Sequence, residues 1–220
     1  MATLEHLVAK FALCLASAGL LFASSAKAQG LSDIAGKKAV GVGIFYGIGT
    51  IALNAPPDTA SAEVKGYSAV LPATIDGAGM AIGLNFGKWG IVFGSDDNTL
   101  EINKLADVLG TPGNTSDDML VSTARRVNQS LTVMFRPYRW IYFGLGQDEN
   151  TVSFNVTTPL GAQETHRFTT TSNFYSIGLA VGFDPEKNKV APILTVYTKV
   201  PTERKDFGSS TTSAGFGVYF

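Results

Sequence analysis

The chain has 220 residues, a length typical of one domain, and its 24 glycines are spread along it. Hydrophobic residues make up 45% and charged residues 16% of the sequence, which excludes an intrinsically disordered chain. The formal net charge of −1 offers no basic surface, so nucleic acid is not expected as a partner.

The N-terminal segment has the pattern of a secretory signal. An apolar stretch covers residues 11–22, and the small residues Ala26 and Ala28 then supply the spacing that signal peptidase requires. We therefore predict a cleavable signal over residues 1–28 and a mature domain over residues 29–220.

Two other readings of this segment have less support. Residues 7–26 are nearly long enough to span a bilayer as a helix, so a retained membrane anchor is the alternative. Cys14 follows Leu13, whereas a lipid-attachment site needs a small residue before its cysteine. Since Cys14 is the only cysteine, no disulfide is expected in the mature domain.

Beyond the signal, apolar residues recur at every second position, which predicts β-strands. In residues 39–53, Val42, Ile44 and Tyr46 share one face while glycines occupy the other. Small inward residues suit a narrow barrel, because they leave room for larger side chains opposite. The alternation predicts eight strands: 39–53, 61–74, 79–94, 119–135, 139–157, 163–183, 189–201 and 209–220.

Some segments depart from clean alternation. Residues 61–74 alternate poorly, and Pro192 interrupts the seventh predicted strand. A change of phase at Gly87 and Lys88 is interpreted as a β-bulge in one long strand. A tight hairpin there is the alternative, and it would give nine strands. Residues 101–109 are predicted to form one or two helical turns within a long loop.

The predicted connections alternate in length, with longer polar segments after the odd-numbered strands. Short turns follow the even-numbered strands, at Asp76-Gly77, Pro137-Tyr138 and Asp184-Pro185-Glu186. An even strand number with short turns at one end is the arrangement of outer-membrane barrels. Aromatic residues near two of these turns suit the bilayer interface: Tyr138, Trp140, Tyr142 and Phe183.

An open sheet with an apolar outer face would leave unpaired edge groups in lipid, so the sheet has to close. The predicted fold class is therefore all-β, an eight-stranded antiparallel up-and-down transmembrane barrel.

The C-terminal residues carry a more specific likeness. Phe216, Val218 and Phe220 alternate along the last strand and end in an aromatic residue. This ending resembles the assembly signal of small eight-stranded outer-membrane barrels of the OmpA-type and opacity-protein class. The resemblance implies a Gram-negative outer-membrane location, with outer-membrane lipid and the barrel insertion machinery as partners. It implies no particular activity.

Charged residues are expected inside the barrel, where they should form pairs, because an unpaired charge in a narrow interior is costly. Those assigned to the lumen are Glu63, Lys65, Arg126 and Lys199. Such pairs would either gate a small pore or hold the barrel shut. An eight-stranded barrel barely encloses its own side chains, which favours charge pairs that plug the lumen over charge pairs that gate a pore.

Catalytic chemistry has little support. Glu164 and His166 lie two apart on one predicted strand, so an acid–base pair is geometrically allowed. The histidine–x–serine–asparagine pattern of outer-membrane lipases and lipid A deacylases is absent, since Phe168 and Thr169 follow Arg167. No catalytic site is therefore predicted.

No metal or cofactor site is predicted either, because the mature domain has one histidine and no cysteine. Acidic residues bracket the long loop and would offer oxygen ligands for Ca²⁺, but they fit no ordered motif. These are Asp96, Asp97, Asp117 and Asp118.

The expected function is a non-enzymatic structural or surface-interaction role in the outer membrane, with the partner of the loops unidentified. Three alternatives are open: a narrow channel, a hydrolase at the barrel rim that uses His166, and a soluble periplasmic ligand-binding barrel.

Overall fold

The computed structural model describes residues 40–138, 140–182 and 191–219. Several predicted features lie outside the described residues: the signal over 1–28 with Ala26 and Ala28, the aromatic Phe183, the turn at 184–186 and the terminal Phe220.

Eight strands and one helix follow one another along the described chain. They are β1 (Val40–Leu53), α1 (Ala62–Val70), β2 (Thr74–Phe86), β3 (Trp89–Ala106), β4 (Met119–Tyr138), β5 (Ile141–Thr157), β6 (Gln163–Val181), β7 (Ala191–Pro201) and β8 (Ser209–Tyr219). Each strand pairs antiparallel with the next, and β1 also pairs with β8, which closes the sheet. The predicted eight-stranded antiparallel barrel is confirmed.

The prediction of a strand over residues 61–74 is wrong, because this segment contains α1. The Ser61 hydroxyl caps the helix by accepting a hydrogen bond from the Val64 N–H at 3.2 Å. Val64, Tyr67 and Val70 then recur every third residue and bury one face. Glu63 and Lys65, which were assigned to a strand face lining the lumen, lie on this helix instead.

The prediction of a bulge at residues 87–88 is also wrong. Phe86 and Trp89 are direct cross-strand partners, so Gly87 and Lys88 form a two-residue hairpin loop. Gly87 has a φ of 62°, which such a loop requires and which glycine adopts without a steric penalty. Phe86 and Trp89, which flank this loop, point to the same face of the sheet. The outward side chains therefore change from even-numbered to odd-numbered positions, which is the change of phase in the sequence. Because α1 replaces the predicted second strand and the predicted third strand is divided between β2 and β3, the number of strands is still eight.

Three further boundaries differ from prediction. Pro137 and Tyr138, which were predicted to form a short turn, are the last two residues of β4. Asp76 and Gly77 lie within β2, paired to β1. A Cβ at Gly77 would meet the side chains of Ile51 and Asn98, so this glycine permits close packing rather than a turn. Residues 101–106 continue β3 and are not helical. This part of β3 lies beyond the apolar belt, where a strand needs no apolar outer face.

The two ends of the barrel differ. At one end, which we call the turn end, Phe86 pairs with Trp89 and Tyr138 pairs with Ile141, so the connections from β2 to β3 and from β4 to β5 are short. At the other end, the loop end, the links cover residues 54–73, 107–118, 158–162 and 202–208. This alternation of short turns and longer loops is that of outer-membrane barrels.

Strand lengths are also unequal. β3 to β6 have 17 to 20 residues, whereas β7 and β8 have 11 each. The extra residues lie at the loop end, where β3 to β6 extend beyond their neighbours as a projecting sheet.

The outer surface of the barrel carries a belt of exposed apolar side chains. It includes Ile44, Tyr46, Ile48, Met80, Ile91, Leu131, Val133, Leu145, Ile177, Leu179, Leu194, Val196 and Phe216. At the turn end, Trp89 packs against Phe135 and Tyr138 stacks on Trp140, as interfacial aromatic residues do. Tyr142, which was predicted to join this girdle, instead lines the lumen.

Small residues face inward where large ones need space. A Cβ on Gly178 would collide with the ring of Tyr142, and one on Gly217 would collide with the ring of Phe45. Glycine therefore lets aromatic rings from neighbouring strands fill the narrow interior. No helix among the described residues has the length and apolar character needed to cross a membrane.

The outer face of β6 allows a matched test of the belt. Leu179 and Thr171 both point outward from this strand, but Leu179 lies in the belt and Thr171 lies in the projecting sheet. We expect Leu179→Arg to destabilise the barrel by about 2–4 kcal/mol in lipid vesicles, because it exposes a cation to hydrocarbon. Thr171→Arg should change stability by less than about 0.5 kcal/mol. Equal effects in denaturant titrations would show that the belt does not meet lipid.

Candidate functional site

The lumen is filled at the loop end by α1 and the side chains around it. Val64, Tyr67 and Val70 pack against inward residues of the projecting sheet, of the β3–β4 link and of the β7–β8 link. Those residues are Ala106, Val108, Val121, Ala124, Val152, Phe154, Val156 and Phe207. We call this cluster the apolar plug.

Aromatic rings form the centre of the apolar plug. Tyr67 is fully buried and stacks on Phe154 with a centroid separation of 4.7 Å. Phe168 and Phe207 complete the group, with their centroids 5.1 Å apart. Rings from α1, β5, β6 and the β7–β8 link therefore meet over the lumen, which ties the link regions to the barrel wall.

The hydroxyl of Tyr67 lies in this apolar setting and donates to the Met119 sulfur at 3.3 Å. Burial raises the pKa of Tyr67 to about 12, and the nearby charges of Glu63 and Glu164 act in the same direction. The phenol is therefore neutral throughout the physiological pH range.

His166 lies at the edge of the apolar plug, between two carboxylates. Its Nδ1 is 3.0 Å from Glu63 Oε1 on α1, and its Nε2 is 3.2 Å from Glu164 Oε2 on the same strand. The imidazole thus links α1 to β6. Because both ring nitrogens face carboxylates, neither is directed at a hydroxyl nucleophile, as an acid–base role in acyl transfer would require.

Below the plug lies a layer of paired charges. Arg126 is 2% exposed, and its guanidinium donates to Asp96 Oδ1, to Asn150 Oδ1 at 2.7 Å and to Ser209 Oγ at 2.8 Å. These partners come from β3, β5 and β8, so one side chain bridges opposite walls of the barrel. Such pairing offsets the cost of taking the charges out of water.

A second buried pair lies beside the first. Lys199 Nζ donates to Asp148 Oδ1 at 2.9 Å and lies 4.9 Å from the centroid of the Phe174 ring. Two cations and two carboxylates thus form this paired-charge layer, which carries no net charge. It offers little attraction to ions of either sign.

A cavity of about 130 Å³ lies between this layer and the turn end. Its walls are mostly apolar and include Phe45, Tyr142 and Ile193, with Ser176 and Lys199 among the polar groups. The described lumen therefore has three levels: the apolar plug, the paired-charge layer and this cavity.

The structure separates the four charged residues that were assigned to the lumen. Arg126 and Lys199 lie inside the barrel in the paired-charge layer. Glu63 is half-buried against His166, and Lys65 is exposed and donates to the Asp58 carbonyl at 2.7 Å. Sequence reasoning missed their partners Asp96 and Asp148, although both occupy inward positions by simple alternation.

The acidic residues around the β3–β4 link are not gathered into one site. Asp96 points inward to Arg126, whereas Asp97 points outward and pairs with Arg125. Asp117 accepts a hydrogen bond from Thr111 in the link. Among residues 40–138, 140–182 and 191–219, no group of three or more such side chains is arranged to hold a metal ion.

No protein-family model and no curated protein matches the chain. Among solved structures, it is similar to the attachment invasion locus protein Ail of Yersinia pestis, in complex with a heparin analogue. The identity is 12%, over 82% of this chain and 99% of that one, with a TM-score of 0.49.

The outer membrane protein OprG of Pseudomonas aeruginosa is similar at 11% identity, over 83% of this chain and 97% of that one, with a TM-score of 0.47. Nothing about the activity of the chain follows from these likenesses. The closed eight-stranded sheet, its apolar belt and its unequal ends make the chain a barrel of the outer-membrane type.

Tyr67 provides a test of the apolar plug. We expect Tyr67→Ala to lower the free energy of unfolding by about 3–5 kcal/mol, because it removes the central ring. Tyr67→Phe keeps the ring and should cost about 1 kcal/mol or less. Urea titrations of the refolded protein in detergent would measure both changes.

The pH dependence of the same two proteins tests the burial of the hydroxyl. Burial raises the pKa of Tyr67 from 10.0 to about 12. The contribution of the neutral phenol to the free energy of unfolding is therefore complete below pH 10 and is lost between pH 10 and 12, where the unfolded chain ionises first. The wild-type protein should therefore lose more stability than Tyr67→Phe between pH 9 and 11.5. An identical loss in both proteins would contradict the buried placement.

Proposed function

We propose that the chain is a non-enzymatic outer-membrane barrel with a structural or surface-interaction role, and that it presents its projecting sheet to the outside of the cell. The observation that carries this proposal is the apolar plug, which fills the lumen at the loop end above a layer of paired charges. A lumen that is closed at the loop end leaves the outer surface there as the part available to partners.

The outer face of the projecting sheet is suited to contact with water. Most of its outward side chains are polar or charged, among them Asp97, Arg125, Asn155, Thr165 and Arg167, while Leu105 and Leu120 form an exposed apolar pair near its tip. Cross-strand hydrogen bonds join some of them, such as Asn155 to Thr123 and Thr165 to Asn155, each at 2.9 Å. In outer-membrane barrels the longer loops face the cell exterior, so this sheet would stand outside the bilayer.

The alternatives have less support. A narrow channel would need a path past Tyr67, which is fully buried, and past Arg126. A rim hydrolase using His166 would need a ring nitrogen directed at a nucleophile, and both nitrogens face carboxylates. A soluble ligand-binding barrel would not carry a continuous exposed apolar belt.

The same proposal covers the ends of the chain. We propose that the signal over 1–28 is removed after Ala28, and that the insertion machinery recognises the last strand through Phe216, Val218 and Phe220. The alternation of Phe216 and Val218 on the outer face of β8 supports this role.

Surface labelling of intact cells tests the orientation. Leu160, in the β5–β6 link, is 97% exposed, and Lys88 lies in a hairpin at the turn end. We expect Leu160→Cys to react with a membrane-impermeant maleimide on intact cells. Lys88→Cys, the matched control, should react only after the outer membrane is permeabilised.

The reverse labelling pattern, or no labelling of Leu160→Cys on intact cells, would contradict display at the cell surface. Stepwise conductance of the purified protein in planar bilayers would favour the narrow channel instead.

A further inference from the structure

β6 is paired unequally on its two sides. It pairs with β5 from Gln163 to Leu179, but it pairs with β7 only from Phe174 onward. β7 ends at Pro201, opposite Phe174, and proline has no N–H with which to continue the ladder. Within the described ranges, no strand lies on the β7 side of residues 163–173. We call this side of β6 the open edge.

The backbone groups that face the open edge follow from two hydrogen bonds. The Asn173 carbonyl accepts from the Thr202 N–H at 2.9 Å, on the β7 side. The Ala180 N–H donates to the Trp140 carbonyl at 2.9 Å, on the β5 side. Backbone groups of neighbouring residues in a strand point to opposite sides. The odd-numbered residues Thr165, Arg167, Thr169 and Thr171 therefore direct their N–H and C=O groups to the open edge.

Exposed strand edges in proteins usually carry devices that block further pairing, such as proline, lysine or a bulge. Residues 163–173 contain no proline, and their register with β5 has no bulge. Among the residues whose backbone groups face the open edge, only Arg167 is charged. The β7–β8 link does not run along the edge as a strand. It turns toward the lumen, where Phe207 packs on Phe168. The other side of the projecting sheet differs, because Gly66 of α1 lies against the backbone at Asp107, just after β3.

We propose that the open edge binds an extended segment of a partner polypeptide as an added β-strand, with an acidic residue opposite Arg167. This proposal rests on the surface-interaction role and names its partner class. Main-chain hydrogen bonds to four alternate residues supply affinity, and the side chains beside them supply selectivity. The added strand takes the place that β7 would occupy if it continued past Pro201.

Charge identifies the chemistry of the partner. On the outer face of the projecting sheet, Arg125 is neutralised by Asp97. Arg167 is exposed on the same face and has no carboxylate partner in the part of the chain that the structure describes. An acidic side chain on an added strand would lie within reach of this guanidinium, where opposite charges stabilise strand pairing.

A second copy of the chain fits this edge less well. Antiparallel pairing of two open edges centred on Phe168 would bring the two Arg167 side chains into diagonal contact. Like charges so close together on neighbouring strands are destabilising. In this register the charges therefore favour an acidic segment over a second copy.

Amide hydrogen exchange of the protein in nanodiscs, followed by NMR, tests the edge directly. Without a partner, the amides of Thr165, Arg167, Thr169 and Thr171 should exchange quickly, and those of the even-numbered residues between them slowly. A nine-residue peptide of alternating threonine and valine with a central glutamate serves as the probe. It should slow exchange at the odd-numbered residues alone.

Two variants separate main-chain pairing from charge. Thr169→Pro removes an N–H on the open side and should weaken peptide binding roughly tenfold or more, whereas Thr169→Val keeps that N–H and should bind normally. Arg167→Glu should weaken binding of the glutamate peptide about fivefold and strengthen binding of a central-lysine peptide by a similar factor.

Several results would overturn the proposal. These are protected odd-numbered amides in the free protein, no binding of either peptide at millimolar concentration, or equal binding by Thr169→Pro and wild type. A concentration-dependent dimer that Thr169→Pro abolishes would replace the partner segment with a second copy. Surface labelling at Leu160→Cys is independent of these readouts, so a failure of the open edge and a failure of surface display are distinguishable.

Discussion

The structure depends on one constraint, which is that a strand in hydrocarbon has no water to satisfy its backbone groups. The β1–β8 seam meets this constraint by pairing Gly43 through Leu53 with the last strand, so the spanning region has no free edge. Closing only eight strands leaves a narrow interior. Glycine at positions such as Gly178 and Gly217 then becomes necessary, because each neighbours an inward aromatic ring.

The same narrow interior explains the order of its contents. Charges can lie there only as pairs, and Arg126 and Lys199 each have a carboxylate partner from another strand. Above these pairs, strands β3 to β6 extend beyond β2 and β7. At this level α1 and the β7–β8 link fold inward and fill the opening of the barrel. This unequal length has a second consequence at β6, where the backbone beyond Pro201 of β7 has no neighbouring strand in the described chain. In water an open edge is tolerated, because solvent forms hydrogen bonds with its backbone N–H and C=O groups. The same groups are available to pair with a partner strand.

Sequence alternation predicts the strands well where one face meets lipid, as in residues 40–48, since the apolar outer face imposes period two. Beyond the apolar belt, alternation no longer predicts the secondary structure correctly. Residues 61–74 were interpreted as a strand although Ser61 and the spacing of Val64, Tyr67 and Val70 indicate a capped helix. The hairpin at Gly87 was interpreted as a bulge, because both change the phase of alternation. For the lumen, period two puts Arg126 and Lys199 on inward positions, but their partners depend on the register between strands, which no single sequence reveals.

The closed barrel requires that β1 and β8 form a continuous seam in the bilayer. Cross-strand NMR contacts in lipid nanodiscs test it most directly. We expect contacts between the backbones of Tyr46 and Phe216 and of Ile44 and Val218, with amide protection as high as at the β4–β5 pairing. Absence of these contacts, with rapid amide exchange along both strands as at a free edge, would contradict the closed barrel.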